Sequence, residues 1–274
     1  MKRKVLSAGV AVAAAVVGVV VAAPAASAAA VDFAGALNVG GCSGSVVRMP
    51  ASVEDDKAFV LTNGHCYEGP GPVPGEVLVD EPSQRVATVL DAGGNAAGVV
   101  QAVRAAYVTM TGTDITLYQL DKTYRQLQRE FHVRPLTVSA KRPTVGTDIR
   151  VVSGGLKKIF SCTLDQLTYR VLETGYVTND VLRYTSACQT GPGSSGSPVV
   201  DAATGEVIGI NNTSNRDGGQ CTLNNPCEMD RDGVIGVHKG IAYGTETYWL
   251  TTCVTRGNRL DLHRPGCLLP QPAP

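Results

Sequence analysis

From Gly44 onward the chain is punctuated: short runs rich in Val, Ile, Thr and Tyr are stopped repeatedly by Gly, Pro, Asn or Asp. This limits the fold more than any other feature. β-Branched and aromatic side chains suit a pleated, half-buried surface, and the residues between the runs are those that turns require. The runs include Gly44–Arg48, Ala58–Thr62, Glu76–Val79, Arg85–Leu90, Ile115–Leu120, Asp148–Val152, Thr168–Val171, Val181–Tyr184, Pro198–Val200 and Val207–Asn211. Many short strands with frequent turn signals predict an all-β sandwich or barrel. Helical periodicity is scarce, and its best instance is Lys122–Phe131, where Tyr124, Leu127 and Phe131 fall at helical spacing. Polar Arg134-Pro135 and Lys141-Arg142-Pro143 mark a looser connection near the middle, so the chain reads as two β halves joined by a linker. No internal repeat is visible. The Pro-rich tail Pro265–Pro274 is expected to be ordered only where Cys267 ties it down.

The first residues carry a different signal. Lys2, Arg3 and Lys4 precede an apolar run from Val5 to about Ala23; Pro24 and Ala26-Ser27-Ala28 follow. Basic head, apolar middle and small-residue end are the parts of a secretory signal peptide, with cleavage expected after Ala28. An uncleaved membrane anchor is the competing reading, since the run is long enough to span a bilayer. No later segment is that long and apolar, so a soluble mature protein is expected. All eight cysteines, Cys42, Cys66, Cys162, Cys188, Cys221, Cys227, Cys253 and Cys267, lie beyond the leader. An even count in an exported chain reads as four disulfides. Eight cysteines allow 105 connectivities; pairing neighbours along the chain gives Cys42–Cys66, Cys162–Cys188, Cys221–Cys227 and Cys253–Cys267. There is no C-x-x-C pair, which argues against zinc. The chain has 24 basic and 24 acidic side chains, and the part beyond the leader is slightly acidic. Without a basic patch, a nucleic-acid partner has no electrostatic support.

Three segments carry chemistry. Gly191–Pro198 (GPGSSGSP) packs three glycines and two prolines into a tight loop. A nucleophilic serine needs such a loop: its hydroxyl must project into a cleft, and nearby N–H groups must converge where a carbonyl oxygen becomes negative. A flexible Gly/Ser loop is the bland alternative. Val60–Cys66 (VLTNGHC) is a strand-like run ending in Asn-Gly, then His65 and Cys66. A Cys42–Cys66 bridge would pin a general base, which loses rate steeply when displaced. Thr113–Leu120 (TDITLYQL) sets Asp114 at the head of an apolar strand, where a carboxylate can be buried and can orient an imidazole. Taken alone, that aspartate reads as a turn cap.

Together these segments resemble the chymotrypsin/trypsin-like serine proteases. LTNGHC is similar to that family's LTAAHC motif, TDITLYQL to its D-I-A-L-L strand, and GSSGSP to its G-D-S-G-G-P motif. The order His, Asp, Ser agrees, and the likeness runs from about Ala34 to Leu250. The resemblance implies two six-stranded antiparallel β-barrels with the active site in the cleft between them. It assigns Ser195 as nucleophile, His65 as general base and then acid, Asp114 as orienting acid, and the Gly193 and Ser195 N–H groups as oxyanion hole. The expected parts are a signal peptide over 1–28, an N-terminal barrel over 29–125, a linker over 126–145, a C-terminal barrel over 146–252 and a disulfide-tethered tail over 253–274. A monomer is expected, with a peptide or protein substrate and no cofactor, metal, nucleic acid or membrane partner after cleavage.

The chain also departs from the family. Ser194 replaces the aspartate that binds a freed amino terminus in animal enzymes, so activation by N-terminal insertion is not expected. Glutamyl-endopeptidase-like relatives share the S-G-S-P ending but carry a histidine where this chain has Asn211 and Asn212, so glutamate specificity is not supported. Counting along the family pattern, Gln189, Asn212, Thr213 and Ser214 would contact substrate. Glu228, Asp230 and Asp232 read as a solvated turn rather than an acidic pocket or a calcium loop, which lacks its remaining ligands. His132, His238 and His263 read as structural. Two rival functions remain. A lipase or esterase would need G-x-S-x-G with its histidine last, whereas Ser197 stands at the final glycine position here. The other rival is a weak or inactive homologue that serves as a binding protein.

Overall fold

A computed structural model describes residues 30–273, and the leader expected over 1–28 lies outside the described residues. Six strands of the N-terminal half form a closed ring: β1 (Ala36–Asn38), β2 (Ser43–Arg48), β3 (Lys57–Thr62), β4 (Val86–Leu90), β5 (Ala96–Thr109) and β6 (Ile115–Thr123), while Val77–Pro82 pairs with β5 beside the ring. They pair antiparallel in the order β1-β4-β5-β6-β3-β2, and β2 returns to β1, closing a barrel. The C-terminal half supplies β7 (Asp148–Ser153), β8 (Lys158–Glu173), β9 (Tyr176–Tyr184), β10 (Pro198–Asp201), β11 (Val207–Ser214) and β12 (Ala242–Glu246). These form a second antiparallel ring in the order β9-β12-β11-β10-β7-β8, closed by β8 on β9. The two-barrel, all-β architecture is therefore present.

Period-two alternation explains how one strand serves two cores. Along β3, Ala58 and Val60 point into the first barrel with Leu37, Val46, Val89 and Tyr118. Phe59 and Leu61 point outward into a cluster with Ile210, Trp249 and Leu250 from the other half. A third cluster, with Ile149, Val151, Leu182, Tyr184 and Val199, fills the second ring. The helix expected at Lys122–Phe131 is observed as α1 (Tyr124–Phe131). Its Thr123–Gln126 capping box satisfies orphan N–H groups at the first turn.

The cysteines are joined as four disulfides, Cys42–Cys66, Cys162–Cys188, Cys221–Cys227 and Cys253–Cys267. The tail is more firmly placed than its proline content implies. Leu262 and Leu269 are buried in the cluster between the halves, and the Tyr107 hydroxyl donates to the Pro270 carbonyl at 2.9 Å. Apolar side chains flanking Cys267 hold the segment, which a count of prolines does not reveal.

Candidate active site

His65 and Asp114 meet because their strands are neighbours in register. In the β3–β6 ladder Thr62 lies opposite Thr116. Two residues beyond that pair, one strand has reached Gly64 on its way out and the other is at Asp114 on its way in. A Cβ on Gly64 would sit 2.0 Å from the Thr109 carbonyl oxygen and 2.8 Å from Asp114 Oδ1, so no larger residue fits. The Asn63 side chain donates to the Asp114 carbonyl at 3.0 Å. Asp114 then accepts twice from one residue: the His65 backbone N–H reaches Oδ1 at 3.0 Å, and His65 Nδ1 lies 2.7 Å from Oδ2. The carboxylate side chain is 6% exposed, whereas the imidazole keeps 33% open to the cleft. Desolvation by the cleft walls works against an imidazolium. The charge and hydrogen bond of Asp114, helped by the charge of Glu173, outweigh it and raise the His65 pKa above the ordinary 6.5. With its proton fixed on Nδ1 by Asp114, Nε2 is left with its lone pair directed outward.

Ser195 comes from the other half, on the loop before β10. Gly193 and Gly196 adopt φ of +87° and +79°, conformations that side chains other than glycine resist. Gly196 also presses on the first barrel: a Cβ there would lie 2.2 Å from both the Ser43 carbonyl oxygen and Thr62 Oγ1. A Cβ on Gly154 would lie 2.3 Å from the Leu37 carbonyl oxygen, and one on Gly155 2.8 Å from the Gly193 carbonyl oxygen. Ser43 ties the loop down. Its N–H donates to the Ser195 carbonyl at 2.7 Å and its hydroxyl to the Gly193 carbonyl at 2.8 Å. With those carbonyls held, the Gly193 and Ser195 N–H groups meet no acceptor among the described residues. Ser194 is buried and held by neutral partners, the Asn211 side-chain amide at 3.1 Å and the Gly191 backbone. The Ser195 hydroxyl donates to the Asn212 carbonyl at 3.2 Å and not to His65.

His65, Asp114 and Ser195 line one cleft, partly open to solvent. Asn212, Thr213 and Ser214 line it as well. Gln189 does not: its side chain donates to the Ser186 carbonyl at 2.6 Å, and the next residue, Thr190, lines the wall instead. The loop between Cys188 and Ser195 is longer than the pattern used for counting, so the register slips. Glu228 departs from the solvated-turn reading. It is buried, accepts from the Tyr243 hydroxyl at 2.9 Å and pairs with Arg183 at 3.3 Å. Asp230 does form a turn, accepting the N–H groups of Asp232 and Val234. Cys42, His65 and Cys66 bring donor atoms together, but both sulfurs belong to one disulfide, leaving no thiolate. Sequence reasoning missed Met110, Glu173, Tyr176 and Leu223, all on the cleft wall. Glu173 and Tyr176 flank a hairpin turn far from any motif, and nothing in Leu-Glu-Thr-Gly marks it.

Residues 42–210 match the family described as a trypsin-like peptidase domain. No curated protein matches the chain. Among solved structures, the MamO protease domain from Magnetospirillum magneticum is 14% identical, with 78% of this chain and 92% of that one aligned at a TM-score of 0.46. The active form of the Rv3671c protease from M. tuberculosis is 15% identical, over 84% and 75% at 0.47. Nocardiopsis Protease is 17% identical, over 79% and 93% at 0.45.

Proposed function

The chain belongs to the trypsin-like peptidase family, and on that premise we propose that it is a secreted serine endopeptidase with Ser195, His65 and Asp114 as its triad. The observation that carries this reading is the two-point hydrogen bond of Asp114 to His65, facing the cleft that Ser195 shares. Ser195 Oγ attacks the carbonyl carbon of a peptide bond while His65 Nε2 takes its proton. The negative oxygen settles against the N–H groups of Gly193 and Ser195. Imidazolium returns the proton to the departing amine, and an acyl-enzyme remains on Ser195. Water, deprotonated by His65, then releases the acid. Asp114 holds the imidazole tautomer and offsets its charge throughout. The four disulfides fit an oxidising compartment, and no helix of the described residues is long and apolar enough to cross a membrane.

One observation favours the rival reading of an inactive homologue: the Ser195 hydroxyl rests on Asn212. A turn about the Ser195 Cα–Cβ bond frees it, and free enzymes commonly tighten such contacts only with substrate bound. A fluorophosphonate probe decides the matter. The triad requires covalent labelling, lost in Ser195→Ala, and hydrolysis of a peptide library that falls about 10⁴-fold or more in that variant. An unlabelled wild-type protein, or a Ser195→Ala variant with full hydrolytic rate, sinks the proposal.

A further inference from the structure

Two charged side chains beyond the proposed triad line the cleft, Glu173 and Arg216. Arg216 is exposed, and the charges that bear on Glu173 are those of His65 and Asp114 instead. Glu173 is half-buried at the end of β8. Its Oε1 accepts the Asn224 N–H at 2.6 Å, and Thr213 lies beside it and helps favour the charged carboxylate. No Lys or Arg among the described residues forms an ion pair with it, and Met110, Tyr176 and Leu223 wall the same cleft with apolar and aromatic surface. That pairing of an oily wall with one carboxylate matches a long aliphatic stem carrying a positive head.

We infer that Glu173 selects a Lys or Arg side chain of the bound peptide, seated on the His65 side of the cleft. This deepens the proposed proteolysis and rests on it. The stem lies along Met110, Tyr176 and Leu223, and the head reaches the free lone pairs of the carboxylate. A substrate Asp or Glu at the same position meets like charge where little water screens it. Burial, opposed by Thr213 and by the hydrogen bond from Asn224, raises the Glu173 pKa above that of an open carboxylate. Preference for the cation therefore fades on acidification, beginning at higher pH than an exposed glutamate would allow. His65, Asp114 and Arg216 also face this space, so the quantity to follow is the ratio of cationic to neutral substrate, in which the titration of His65 cancels.

The test is a positional peptide library cleaved by wild type and by Glu173→Gln. Glutamine keeps an oxygen for Asn224 and so keeps the loop, but removes the charge. At one substrate position, wild type should favour Lys or Arg over norleucine by about tenfold in kcat/KM, the scale of one charge-assisted hydrogen bond. In Glu173→Gln the ratio should fall to within about twofold; taking the ratio within each protein removes the effect that the lost charge has on His65. Equal ratios in the two proteins, or no cationic preference in wild type, overturn the inference. If wild type is neither labelled by the fluorophosphonate nor active, proteolysis itself fails. Calorimetric binding of the same Lys and norleucine peptides to wild type and Glu173→Gln then reads the preference without turnover, and equal affinities overturn it.

Discussion

The two halves contribute to the cleft in different ways. The first delivers His65 and Asp114 from the ends of paired strands, where the ladder fixes their separation and both carboxylate oxygens are occupied by one residue. The second delivers Ser195 from a loop of positive-φ glycines, held by carbonyl contacts to Ser43 and by neutral bonds around Ser194. Buried charge shows the same contrast. Asp114 is fully satisfied, while Glu246 at the end of β12 is 2% exposed, faces Arg142 at 3.5 Å with one oxygen and leaves Oε2 without a partner. His65 is thus held rigidly and the Ser195 hydroxyl by a single contact, which suits the proposed reaction, in which the serine would move between a carbonyl rest position and an attacking one.

Four substitutions break or sharpen that contrast, in order of falling effect. Asp114→Asn should lower kcat by about 10³–10⁴-fold with the fold intact, because the imidazole loses its tautomer partner. The acid limb of kcat/KM, expected above pH 6.5 because His65 binds its proton more tightly, should move down in this variant; a pH–rate profile checks both. Gly64→Ala should destabilise the first half by more than about 3 kcal/mol, since the new methyl collides with backbone; urea unfolding measures it. Ser43→Ala should lower kcat about tenfold at unchanged KM, the Gly193 carbonyl keeping only the longer 3.4 Å contact to Ser153; steady-state kinetics with Ser43→Thr as rescue reads it. Burial pushes the Glu246 carboxyl up to about 7. Folded protein thus holds a proton that unfolded chain has released, and stability falls as pH rises from the ordinary 4.5 towards 7. Glu246→Gln should recover about 1–2 kcal/mol at pH 8, visible as a raised Tm.

Legibility followed the same division. Short runs such as Ala58–Thr62 and Ile115–Leu120 announced strands because β-branched and aromatic residues make up at least half of each. β5 did not, since Ala-Ala-Gly and Ala-Ala-Tyr lack that bias and its pairing with β4 and β6 makes the strand. His65, Asp114 and Ser195 stood out because glycine, cysteine and strand context surround them. Gln189 was misplaced because counting residues ignores loop geometry. Glu173 was invisible because a carboxylate before a turn looks the same whether it faces solvent or a cleft; only the β8–β9 hairpin and the Asn224 contact decide that.

The crowded glycines beside the cleft, within the first half and where the halves touch, have a practical consequence for anyone wishing to retrain this protein on new substrates. At Gly64, Gly154, Gly155 and Gly196 even one added carbon strikes a neighbouring segment within 3 Å. A combinatorial library should leave those four codons untouched and place its diversity at Met110, Tyr176 and Leu223. Variation there alters what enters the cleft without prying the two halves apart.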